Sequence, residues 1–218
     1  MKNIRLTVWI GIMCGWLAAG MLQAGTRPDN ARPAEEDGSR LWLPVMRPVE
    51  GAEVEVIYKG KVSPTIAVAI AELKNAWKGE PVLLEKKRTG QGDGFAITSS
   101  EHQVRILSST EAGLLYGVYS LLRMQAAGQV TVPLSVTEQS VYDLRILNHW
   151  DNPDGTVERG YAGCSLWNWE ELPGTLSPRY EAYARANASV GINGTVLNNV
   201  NASPQVLATG SLEKVKAL

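Results

Sequence analysis

Two β-type runs late in the chain, residues 143–150 (DLRILNHW) and 192–200 (INGTVLNNV), are separated by a long polar loop and a helix, and a second helical pattern follows. A crossover of that length joins parallel strands, because antiparallel neighbours are joined by short hairpins. A lone parallel pair leaves both outer edges and apolar surface open to water. A closed β/α barrel solves that problem, but it takes eight strands, eight helices and about 250 residues. The spacing therefore predicts that residues 139–218 begin a (β/α)8 barrel that this chain does not complete.

The stretch before it reads differently. Short β-type runs fall at residues 41–43, 54–58, 82–85, 95–98, 104–107 and 132–136. Two helices interrupt them. The first has Ser63 as N-cap and Pro64 in its first turn, an apolar stripe of Ile66, Ile70, Leu73 and Trp77, and Gly79 at its end. The second opens at Ser109 or Thr110, carries Leu114, Val118, Leu121 and Leu122, broadened by Leu115 and Tyr119, and ends at Gly128. Each helix has one apolar face and needs one surface to lie on, so a sheet with helices on one side is expected. The fold class is α/β: a small two-layer α/β domain over residues 39–138, then the first two β/α units of a barrel.

The first residues belong to neither. Lys2 and Arg5 precede an apolar run from Leu6 to Trp16, with small residues at Ala18, Ala19, Gly20 and Ala24. This pattern predicts a secretory signal over residues 1–24, cleaved after Gly20 or Ala24. Residues 25–38 (GTRPDNARPAEEDG) are then a polar linker. A secreted or periplasmic location follows, with no stable membrane insertion once the signal is gone.

The chain has 21 basic and 22 acidic residues and is 44% hydrophobic. That is globular composition without the basic excess that would draw in nucleic acid, so no nucleic-acid partner is expected. Cys164 is the only thiol left beyond the signal, which excludes an internal disulfide, and we expect it to be a small buried filler. His102 and His149 have no Cys/His cluster beside them, so no metal and no other cofactor is expected. Sequons at Asn187, Asn193 and Asn201 fall in or beside regular elements, and we read none as glycosylated.

Polar chemistry gathers where the two late strands end. Asn148, His149, Trp150, Asp151 and Asn152 close the first; Asn198, Asn199 and Asn201 close the second. In β/α folds ligands sit at those ends. Indoles cover the C–H faces of a sugar ring while amides and acids take its hydroxyls. Trp167, Trp169, Glu170 and Glu171 continue the pattern into the loop. Structural readings stand beside these: Trp150 as a plug in the barrel mouth, Trp167 packed under the loop, Glu158 paired with Arg159. Strand alternation sends His149 and Trp150 to opposite sides, so one of them is structural.

Residues 144–169 (LRILNHWDNPDGTVERGYAGCSLWNW) and 183–203 (YARANASVGINGTVLNNVNAS) closely resemble the opening barrel segments of the family 67 α-glucuronidases, and the resemblance covers essentially all of the chain after the signal. It implies hydrolysis of the α-1,2 bond between (4-O-methyl-)glucuronic acid and the terminal xylose of glucuronoxylan oligosaccharides, with inversion. Inversion needs two carboxyl groups about 6.5–9.5 Å apart. By the resemblance those carboxylates lie on later strands, beyond residue 218, so no residue here is expected to be catalytic and the chain alone is expected to be inactive. Trp150, Asn152, Glu158, Arg159, Trp167 and Asn199 would instead line the near wall of the sugar pocket. The full-length form is expected to be a homodimer. A secreted carbohydrate-binding module and a fragment of a β-hexosaminidase-like hydrolase are the competing readings.

Overall fold

The computed structural model describes residues 43, 54–88, 92–198 and 203–218. The expected signal and linker lie outside these residues, as does the run at 41–43 apart from Leu43.

The elements in chain order are β1 (Val56–Tyr58), α1 (Pro64–Ala76), β2 (Val82–Lys86), β3 (Phe95–Ser99), β4 (Val104–Ser108), α2 (Glu111–Ala126), β5 (Ser135–Glu138), β6 (Ile146–Asn148), α3 (Pro178–Ser189), β7 (Gly194–Val196) and α4 (Thr209–Ala217). The protein is mixed α/β. Strands β1 to β5 form one sheet in the order β1-β2-β4-β3-β5. The β1–β2 and β2–β4 pairs are parallel, and β3 is antiparallel to both β4 and β5.

Alternation along the strands explains the layers. Val82 and Leu84 on β2, Phe95 and Ile97 on β3, and Val104 and Ile106 on β4 are buried, while the residues between them are half-exposed or exposed. The buried face meets both helices: Ile66 and Leu73 from α1, with Leu114, Val118, Leu121 and Leu122 from α2, reach no solvent. Each large side chain buried there contributes about 2 kcal/mol. On the other face Arg105 pairs with Glu85 across β4 and β2.

The caps expected at the first two helices are present, and α3 has one of the same kind. Ser63 Oγ accepts from the Ile66 amide, Thr110 from the Gly113 amide and Ser177 from the Arg179 amide. Gly128 and Gly191, just past α2 and α3, adopt φ of 65° and 79°, conformations that favour glycine. Boundaries moved where backbone pairing, not side-chain pattern, decides. The run at 132–136 becomes a strand at Ser135–Glu138, paired to β3. Among the described residues the run at 143–150 is a strand over Ile146–Asn148 and that at 192–200 over Gly194–Val196, and single backbone bonds from Asn193 to Arg145 O and from His149 to Val196 O flank the pairing. Ser203 and Pro204 open a 3-10 turn over Pro204–Leu207 before α4 begins.

Strands β6 and β7 pair in parallel, Ile146 opposite Gly194 and Asn148 opposite Val196. Side chains from α1 and α2 reach α3. Glu72 on α1 pairs with Arg185 on α3 at 2.5 Å, and the Arg185 guanidinium lies over the Tyr119 ring. Arg123 donates to the carbonyl of Ser189. Arg145, just before β6, pairs with Asp93 at 2.5 Å and lies over Tyr116. Among the described residues no helix is long and apolar enough to cross a membrane.

Candidate functional site

The loop after β6 is short of regular structure but densely bonded. Two isolated antiparallel bridges, Asp151 with Val157 and Thr156 with Cys164, fold it back on itself. The Glu158 amide donates to Trp150 O at 2.7 Å and the Ser165 amide to Gly155 O at 2.9 Å. Asn152 staples the turn, its Nδ2 donating to Thr156 Oγ1 at 2.9 Å and to Glu158 O at 2.8 Å. Asp154 accepts from the hydroxyl and the amide of Thr156 at 2.6 and 3.0 Å, and these bonds hold its carboxyl below the usual range.

Behind this turn lies a polar chain embedded in aromatics. Asp151 is only 4% exposed. Its Oδ2 accepts from Ser165 Oγ at 2.6 Å and from the Leu166 amide at 3.1 Å. Its Oδ1 lies 3.6 Å from His149 Nδ1. His149 Nε2 shares a 2.5 Å hydrogen bond with the Tyr183 hydroxyl on α3. A Tyr183 hydroxyl donating to Nε2 puts the ring N–H at Nδ1, facing the carboxylate. The imidazole meets Trp167 and Tyr183 edge-on, and Trp167 contacts Tyr180 and Tyr183. Trp167, Trp169, Leu172 and Tyr180 form a second small core.

The residues expected along the sugar wall divide accordingly. Trp150 remains 43% exposed at the end of β6. Asn152 and Glu158 sit beside it, joined through the loop backbone, and Arg159 is exposed next to them. Glu158 has φ of 57°, an uncommon conformation for a residue with a side chain, and its carboxylate accepts from the Tyr161 hydroxyl at 2.6 Å. That bond raises the Tyr161 phenol, because ionising it would give up the hydrogen it donates to the carboxylate. Trp167 is apart from this group, buried to 4% among His149, Tyr180 and Tyr183. Of the two residues set on opposite sides by alternation, His149 is the packed one. Asn199 lies outside the described residues.

A concavity of about 470 Å³ opens between the loop and the start of α3, lined in part by Asn168, Trp169, Glu170, Glu171 and Arg179. Cys164 is exposed, which corrects the expectation of a buried filler. It lies on the outer strand of the loop bridge, beside Gly163 at φ 111°, where the chain turns outward. Among the described residues no cluster of His, Cys, Asp or Glu could hold a metal ion. Sequence reading did not single out Tyr183 or Ser165. Each acts through a partner 34 or 14 residues away, a separation that leaves no local pattern.

Residues 124–218 match the glycosyl hydrolase family 67 middle domain. The chain is 41% identical over 122 residues to a Neosartorya fischeri protein named Probable alpha-glucuronidase A. It is 39% identical over 115 residues to Alpha-glucuronidase A of Aspergillus tubingensis. These stretches cover 56% and 53% of this chain but 14% of each relative. In fold, the chain resembles a family 138 glycoside hydrolase targeting pectin rhamnogalacturonan II, with a TM-score of 0.53 at 15% identity over 76% of this chain and 28% of that one.

Proposed function

We propose that this chain, whose residues 124–218 match the glycosyl hydrolase family 67 middle domain, is a portion of a secreted or periplasmic α-glucuronidase. The bond cleaved is the α-1,2 linkage between (4-O-methyl-)glucuronic acid and the terminal xylose of glucuronoxylan oligosaccharides, with inversion. The observation that carries this reading is the turn at the end of β6. Trp150 stands exposed, and Glu158 is held beside it in a left-handed conformation by the bond to Trp150 O and the contact with Tyr161. Backbone held in a sparsely populated region costs about 1–3 kcal/mol and persists where surroundings enforce it, commonly at ligand sites.

In this reading β6, α3, β7 and α4 are the first two β/α units of the barrel. Trp150 supplies a stacking face, Glu158 and Arg159 take sugar hydroxyls or the uronate, and Asn152 holds the turn that presents them. Trp167 backs the wall from within, and Asn199 is a further sugar contact implied by the family resemblance. The chain alone is proposed to be inactive. Asp151 is committed to Ser165, the Leu166 amide and His149, which leaves it poorly placed to protonate a leaving group or activate water.

The test measures glucuronic acid released from aldouronic oligosaccharides. The 218-residue chain should release none above background, and a full-length family member carrying these residues should release it with an inverted product. In that longer form Trp150→Ala should raise KM or lower kcat. Release by the 218-residue chain that is abolished by mutating one of its own carboxylates would overturn the reading.

A further inference from the structure

A second concavity lies on the five-stranded sheet. It has a volume of about 520 Å³ and opens at the carboxyl ends of the parallel strands β1 and β2. Open α/β sheets bind ligands at such ends, and the volume falls within the range of about 300–1,000 Å³ usual for small-ligand sites. Its lining includes Tyr58, Lys59, Lys61, Leu83, Lys86 and Glu111.

The charge around it is segregated. The whole chain is balanced, with 21 basic and 22 acidic residues. Yet Lys59 and Lys61 leave β1 while Lys86, Lys87 and Arg88 end and follow β2, and all five are exposed. Lys86 pairs with Glu111 at 2.8 Å, which also accepts from Ser63 Oγ, and Glu85 is taken by Arg105. Among the described residues no ion pair engages Lys59, Lys61 or Lys87. Helix α1 begins at this rim with no acidic residue in its first turn, and the carboxylate that faces its N-cap Ser63 is Glu111 from α2.

We infer that this cleft is a saccharide site that takes a uronate-bearing xylan chain, held through the carboxylate by the lining residues Lys59 and Lys61, with Lys87 adding charge next in the chain to the lining Lys86, and by Tyr58 along the sugar. The inference rests on the proposed function for its choice of polysaccharide. The chemistry favours sparse carboxylates over dense polyanions. Lysines are mobile point charges, in contrast to the planar fork with which arginine grips phosphate. The Glu85 and Glu111 carboxylates beside them accept sugar hydroxyls and repel a ligand carrying a charge on every unit. A cleft at the strand ends would give a bound xylan chain a second point of attachment by multivalency.

The test is native electrophoresis of the 218-residue chain in gels containing 4-O-methylglucuronoxylan. Parallel gels contain the same polymer after carboxyl reduction, or heparin. Retardation is expected in glucuronoxylan only. The triple variant Lys59→Ala, Lys61→Ala, Lys87→Ala should weaken it about tenfold, at the modest cost per exposed charge typical of surface ion pairs. The corresponding triple arginine variant should restore it. Circular dichroism checks that both variants fold, which the exposure of all three side chains leads us to expect. Absent retardation, retention by the alanine variant, or equal retardation in the reduced polymer would each overturn the inference, as would equal or stronger retardation in heparin. Those failures leave release of glucuronic acid from short oligosaccharides untouched, so they are separable from failure of the hydrolase reading.

Discussion

Glu72 on α1 and Arg185 on α3 stand 113 residues apart in sequence and meet at 2.5 Å, with both side chains mostly buried. Arg185 also donates to Leu43 O and lies over Tyr119. Its guanidinium is held further toward the charged form by the Glu72 carboxylate, and burial raises the Tyr119 phenol strongly. Removing one partner leaves the other charge poorly solvated. Glu72→Gln and Arg185→Met should each lower stability by about 2 kcal/mol, and the double variant should cost less than the sum. Urea unfolding of the four proteins checks this; simple additivity would show that the pair is uncoupled.

His149 belongs to the packing between β6 and α3. Tyr183→Phe removes one hydroxyl from a half-buried bond and should cost about 1 kcal/mol, and His149→Phe somewhat more because Asp151 loses its neighbour. Both should shift the fluorescence of the buried Trp167, which touches both rings. Unchanged emission in both variants would place the indole elsewhere.

The left-handed conformation of Glu158 ranks its substitutions. Glycine accepts φ of 57° freely, alanine with strain and valine with most strain. Glu158→Gly should therefore change stability by less than about 1 kcal/mol, since relief of strain offsets the lost Tyr161 bond, while Glu158→Val should cost about 2 kcal/mol. Thermal denaturation in the order Gly, Ala, Val tests this, and an equal effect of all three would remove the conformational argument.

Acid should loosen the Asp154 turn. The carboxyl of Asp154 is lowered by its bonds from Thr156, so its contribution is present above the ordinary aspartate value of about 3.9 and is lost as pH falls through the lower folded value. The Thr156 amide shift, followed by NMR, should titrate with a midpoint below the ordinary value and should not titrate through that group in Asp154→Asn. A midpoint at or above it would contradict the geometry.

Much of the architecture is written locally. Ser63, Thr110 and Ser177 announce helix starts because capping is a contact across two or three residues, and Gly128 and Gly191 mark ends because only the backbone decides there. The buried face of β2, β3 and β4 follows from alternation. Strand order does not, because β3 inserts between β4 and β5 through antiparallel pairings that no side chain declares. At the site, the exposure of Trp150 and the burial of Trp167 look alike in sequence, since both are indoles amid polar residues. What separates them is α3, whose Tyr180 and Tyr183 close over one and not the other.

The end of α1 is finished by a residue from another helix. Gln125 on α2 accepts from the Lys78 amide and donates to Ala76 O, both at 2.8 Å, across 47 and 49 residues. A terminal carbonyl that local sequence would otherwise leave to water is thus satisfied only after the two helices lie side by side. The last turn of α1 is consequently coupled to the docking of α2, and in the native protein its amides should exchange with solvent together with those of α2 rather than ahead of them.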